Sequence, residues 1–146
     1  MNRKWTVLAL TVGVTALFAT GLSIAADDDE SPLHKIMEKV QKENVFITKA
    51  VRSQVNFKKS QKEVVTHAEE LIKLGKEARQ FKEPSVEKKQ PYEKWTAFMD
   101  DFLKTTEEFA KEAAKPTAAQ PQVKDAYKNV AKKCTACHEV FKSEDD

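Results

Sequence analysis

Apolar and polar positions recur along this chain with the period of an α-helix in four successive stretches. The first opens at Ser31-Pro32, where serine can cap a helix and proline suits its first turn. From there Leu33, Ile36, Met37, Val40, Asn44, Ile47, Thr48 and Val51 fall on one stripe at roughly 100° per residue. This spacing predicts a first helix ending near Arg52 or Val55, with His34 at the edge of its stripe. Asn56 to Ser60 reads as a polar turn with Ser60 as a cap. The second helix runs to about Phe81 with Val64, Ala68, Leu71, Ile72, Gly75 and Ala78 inward. His67, at its border, reads as a partly buried surface histidine, and Gly75 as a close helix contact or a weak point.

Glu83 to Pro91, rich in charge and punctuated by Pro84 and Pro91, reads as a connection with no element of its own. Pro91 then opens a third helix whose stripe carries Tyr92, Trp95, Met99, Phe102, Leu103 and Ala110, widened by Phe98 and Phe109. Pro116 to Pro121 leads to the last helix. From Gln122 onward Val123, Ala126, Tyr127, Val130, Cys134, Cys137, His138 and Phe141 share one stripe. With no strand pattern, the expected fold is all-α, an antiparallel four-helix bundle whose C-terminal helix turns its cysteines and histidine toward the core.

The N-terminus adds an address. Arg3 and Lys4, the apolar run Val7 to Ala19 and the small residues Ser23 and Ala25 form a signal peptide over residues 1–26. Residues 27–146 are then the mature single domain, beginning with the acidic Asp27 to Glu30 and placed in the periplasm or otherwise outside the cytoplasm. The chain has 25 basic and 23 acidic side chains, and two of the basic ones, Arg3 and Lys4, belong to that leader. The balance that remains offers no basic field for nucleic acid or an anionic membrane.

Cys134-Thr135-Ala136-Cys137-His138 supplies the candidate chemistry. Two cysteines at this spacing followed at once by histidine are a c-type haem attachment site: each thiol adds to one vinyl group of the porphyrin, and the imidazole next to them binds the iron. A zinc site needs further Cys or His ligands, and His34 and His67 lie far apart. A thioredoxin-like pair belongs beside a strand-helix-strand pattern. A simple disulfide would leave His138 without a purpose. No paired carboxylates, activated nucleophile or phosphate loop stands out, so a binding and electron-transfer protein is expected rather than an enzyme.

The helical layout, the motif on the last helix and the run Cys134 to Lys142, with Phe141 and Lys142 behind the histidine, resemble the class II c-type cytochromes, the cytochrome c' group. The resemblance implies one covalently attached haem c, held by Cys134 and Cys137, with His138 on its iron and Lys142 either near that imidazole or simply solvated. It also implies that the first helix covers the other iron face. Members with a methionine there carry single electrons between redox partner proteins; members with an apolar residue leave the iron open to small gases such as nitric oxide or carbon monoxide. Met37, central on the inner stripe, is the expected sixth ligand, with plain core packing as its alternative and His34 as a more remote candidate. The group often has an arginine before this region near the haem propionates, where this chain has Glu30-Ser31-Pro32. Many relatives dimerise through their first two helices, which Phe46 and Phe57 could serve, or these could be scattered surface hydrophobes.

Overall fold

The computed structural model describes residues 31–142. The expected signal peptide, the acidic run Asp27 to Glu30 and the acidic end Ser143 to Asp146 lie outside the described residues. Within them the helices are α1 (Pro32–Ala50), α2 (Gln54–Ala78), α3 (Glu83–Glu87), α4 (Tyr92–Ala114) and α5 (Gln120–Phe141). The long helices α1, α2, α4 and α5 form the expected antiparallel bundle. Helix α1 packs on α2, α2 on α4 and α4 on α5, whereas the α1 and α5 backbones scarcely approach each other.

Local chemistry explains where the helices begin, and corrects the expected boundaries. Ser31 Oγ accepts the His34 N–H at 3.1 Å and Pro32 occupies the first turn. The chain turns earlier than Asn56 to Ser60: α1 stops at Ala50 and Ser53 caps α2, its Oγ accepting the Asn56 N–H at 3.2 Å. Ser60 instead sits inside α2, at a kink with φ −118° and ψ 18°. The physical reason is Phe57, which lies off the expected stripe yet is 0% exposed. Burying such a ring stabilises by about 1.5–3 kcal/mol, enough to draw its whole segment into helix and onto the core. Phe57 is therefore neither a surface hydrophobe nor a dimer contact. Phe46 is half-buried, stacked on the His67 ring with centroids 3.8 Å apart. Glu43 pairs with that histidine, which fixes α1 to α2.

The connection after α2 is more than a link, because Pro84 in the first turn of α3 and the buried Ser85 pack a short helix there. Two glutamines satisfy helix-end carbonyls that would otherwise lack donors. Gln61 Nε2 donates to the Ala113 and Lys115 carbonyls at 2.8 and 3.0 Å, and Gln120 Nε2 donates to the Val51 carbonyl.

Gly75 proves to be a close contact. A Cβ built on it would lie 2.8 Å from Phe102 Cε1 and 3.0 Å from Leu103 Cδ2, so α4 approaches α2 through the missing side chain. Helix propensity alone would make Gly75→Ala stabilising by about 1 kcal/mol. Crowding of this kind costs roughly 1–3 kcal/mol, and we expect it to win, lowering the urea midpoint. A higher midpoint for Gly75→Ala would show that α2 and α4 have room to spare here.

Candidate haem-binding site

The core is tight at one end of the bundle and loose at one side of the other. Ile47, Phe57, Val64, Phe109, Ala113 and Val123 are all 0% exposed. Toward the start of α1 and the end of α5, Leu33, Met37, Val40, Phe98, Cys134, Cys137 and Val140 touch the core but are only half covered. Leu71, Leu74 and Ala78 on α2 remain buried at that level. Half-covered apolar residues thus line the seam between α1 and α5 at this end.

At its closed end the seam is held by polar groups. Tyr127 Oη lies 3.0 Å from the Asn44 carbonyl, 3.1 Å from Asn44 Oδ1 and 3.2 Å from Thr48 Oγ1. One further turn brings Gln120 to the Val51 carbonyl. These contacts set the antiparallel register. About two turns on from Tyr127 stands Cys134, and about two turns back from Asn44 stands Met37. Met37 therefore shares the α5-facing line of α1 with Asn44 and Thr48. His138, about three turns on from Tyr127, shares the α1-facing line of α5. His34 lies on the outer edge of this line, half-buried, one turn nearer the N-terminus.

The expectation that the whole α5 stripe points inward holds for Val123, Tyr127, Val130 and Phe141, which are buried, and partly for Cys134 and Cys137. It fails for His138, which is exposed. The residue lies on the flank of the stripe that faces α1, and α1 does not close over that flank. Lys142 is the exposed C-cap of α5.

Both cysteines are free thiols. Burial pushes both up, Cys137 to about 11, where charge on Cys134 adds to the effect of burial. They are accordingly held protonated, as S–H groups on one helical face. Among the described residues no group of three or more His, Cys, Asp or Glu side chains could hold a metal ion, which leaves the zinc reading without ligands. A groove of about 310 Å³ runs along the seam between Gln41, Asn44, Val45, Tyr127, Ala131 and Cys134. Paired thiols, half-covered apolar walls and an imidazole beside them fit a flat apolar macrocycle with a metal at its centre. So does a buried donor without an acceptor, Trp95 Nε1, behind the motif.

The Tyr127 clasp was missed in the sequence, although a signal was there: Asn44 and Thr48 interrupt the first apolar stripe, and the only hydroxyl on the last one answers them. His67, paired with Glu43, is remote from the seam.

A family model described as Cytochrome C' matches residues 31–142. No curated protein and no solved structure matches the chain. No helix among the described residues is long and apolar enough to cross a membrane.

Burial raises Tyr127 above the ordinary tyrosine value of 10.0, against a hydrogen bond from Thr48 that lowers it. The folded state then keeps this proton where the unfolded chain loses it. The associated stability is complete below pH 10 and declines as pH rises through the folded value. Tyr127→Phe should cost about 1 kcal/mol at neutral pH and flatten that alkaline decline, as urea midpoints at pH 8 and 10.5 would record. A decline just as steep in the variant would rule out this tyrosine as its source.

Proposed function

The chain belongs to the cytochrome c' family, and from that premise, which makes it a haem c protein, we propose that it is an exported carrier of single electrons between redox partner proteins. The observation that supports this reading is the register of the seam: Met37 on α1 and His138 on α5 stand on facing lines, so that a haem held between the two helices would have a candidate ligand on each. Haem iron held this way alternates between ferric and ferrous states and so accepts or releases one electron.

The chain's own residues do the rest. Cys134 and Cys137 would hold the single haem through their sulfurs, as thioethers. His138 would supply one ligand to its iron, and the Met37 thioether would supply the other. Trp95, Phe98 and Phe141 form an aromatic wall on the α4 side, and the half-covered Leu33 and Val40 close the α1 side. Such walls keep water from the metal and tune its potential. No substrate is converted, and the location is the periplasm or its equivalent, in keeping with residues 1–26. Two identical chains could pair, though Phe57 takes no part.

A second reading is a five-coordinate haem protein that binds nitric oxide or carbon monoxide. The groove that reaches Cys134 from solvent favours it, since a small gas could enter there.

Absorption spectra of the haem-loaded protein separate the two. Electron carriage through Met37 predicts a low-spin spectrum in both oxidation states, turned high-spin by Met37→Ala and untouched by His34→Ala. A wild-type ferrous spectrum that is already high-spin and takes up carbon monoxide at once would sink the Met37 assignment and favour gas binding.

A further inference from the structure

Among the described residues two buried side-chain polar atoms have no hydrogen-bond partner, Ser85 Oγ and Trp95 Nε1. Both lie toward the end of the bundle that carries the motif. Helix α3 packs on α4, and the Trp95 ring meets the Phe141 ring edge-on, 5.2 Å between centroids and 81° between planes. Phe141 stands about one turn past His138. Elsewhere in the core the buried polar groups are satisfied: Thr106 Oγ1 donates to the Phe102 carbonyl at 2.7 Å, and Tyr127 is held by Asn44 and Thr48.

Trp95 is 2% exposed, so water does not reach its N–H. A donor left in that condition destabilises the fold, and folded proteins leave very few. An acceptor brought by a bound group would satisfy it. On the reading that haem c occupies the seam, the strong acceptors that group brings are the two carboxylates on its edge. We propose that Trp95 Nε1 is the chain's hydrogen-bond donor to one of these carboxylates.

The arginines among the described residues are engaged or distant. Arg79 is held in a fork by Asp100 at 2.6 and 3.0 Å. Arg52 sits in the turn between α1 and α2 at the other end of the bundle, and the lysines at the motif end, Lys35 and Lys142, are exposed to solvent, whereas the indole is buried. A neutral indole N–H bonded to a carboxylate is charge-assisted, and stronger than a bond between neutral groups. The remaining option within the chain, an N–H directed at the face of the Phe141 ring, is a weak interaction.

This inference rests on the haem reading, and the experiment keeps the two apart. In a Trp5→Phe background Trp95 is the sole indole. The full chain is loaded with haem or with its dimethyl ester, whose carboxylates are capped, and covalent attachment is verified by mass. Ultraviolet resonance Raman then reads the indole band that reports N–H hydrogen bonding. We expect a strongly bonded position with haem and a shift to a weakly bonded one with the diester. The same position in both overturns the assignment of Trp95 while leaving haem attachment intact. Absence of any covalent adduct overturns both readings.

Discussion

The separation of α1 from α5 is the constraint on which the rest of this structure depends. Three sides of the bundle are closed by ordinary packing, and the fourth is closed only where Tyr127 and Gln120 reach across it. From that clasp the two helices run on with the register it dictates. Met37 and His138 are thereby brought to facing lines. The tight end, built on Ile47, Phe57, Phe109 and Val123, is what makes the clasp rigid enough to matter. Each of those side chains contributes about 1.5–3 kcal/mol of burial, so the half-covered end hangs from a well-anchored one.

The half-covered residues are informative because of their chemistry. Leu33, Met37, Val40, Phe98 and Val140 are all apolar, and apolar surface left partly wet forgoes stabilisation at about 25 cal/mol per Å². A flat apolar body covalently held by Cys134 and Cys137 would recover much of it. Burial of both thiols has a related consequence. With their values raised they remain S–H groups rather than thiolates, which disfavours disulfide exchange and metal capture.

Most of this was legible in the chain. Period located the four long helices, although α2 is capped by Ser53 rather than by the expected Ser60, and Cys134, Cys137 and His138 stood out by spacing alone. What escaped had physical causes. Phe57 looked peripheral because it falls among the polar residues Asn56 to Ser60, which read as a turn, whereas Ser53 caps α2 and the segment is helical. Helix α3 escaped because two prolines argued for a bare link, although Pro84 suits a first turn as well as a break. His138 was expected inward because the wheel takes one neighbour as the core. In a bundle, a stripe is shared between two neighbours, and only α4 closes on α5 along its full length. The unpartnered Trp95 indole could not be read from sequence at all, since whether a buried donor has an acceptor depends on three-dimensional neighbours.

The polar residues within the seam explain why it stays apart. Had Asn44, Thr48 and Tyr127 been leucines, the two stripes would be continuous and apolar, and nothing would oppose their collapse onto each other along the full length of α1 and α5. Hydrogen bonds are directional where apolar contact is not. The phenol bridges α1 and α5 at one spacing and one register, and its loss leaves Asn44 and Thr48 polar against a closing apolar surface. The chain thus gives up some core burial at one level of the bundle. What it gains is a defined distance between α1 and α5 at that level, from which the half-covered seam runs on toward Met37 and the motif.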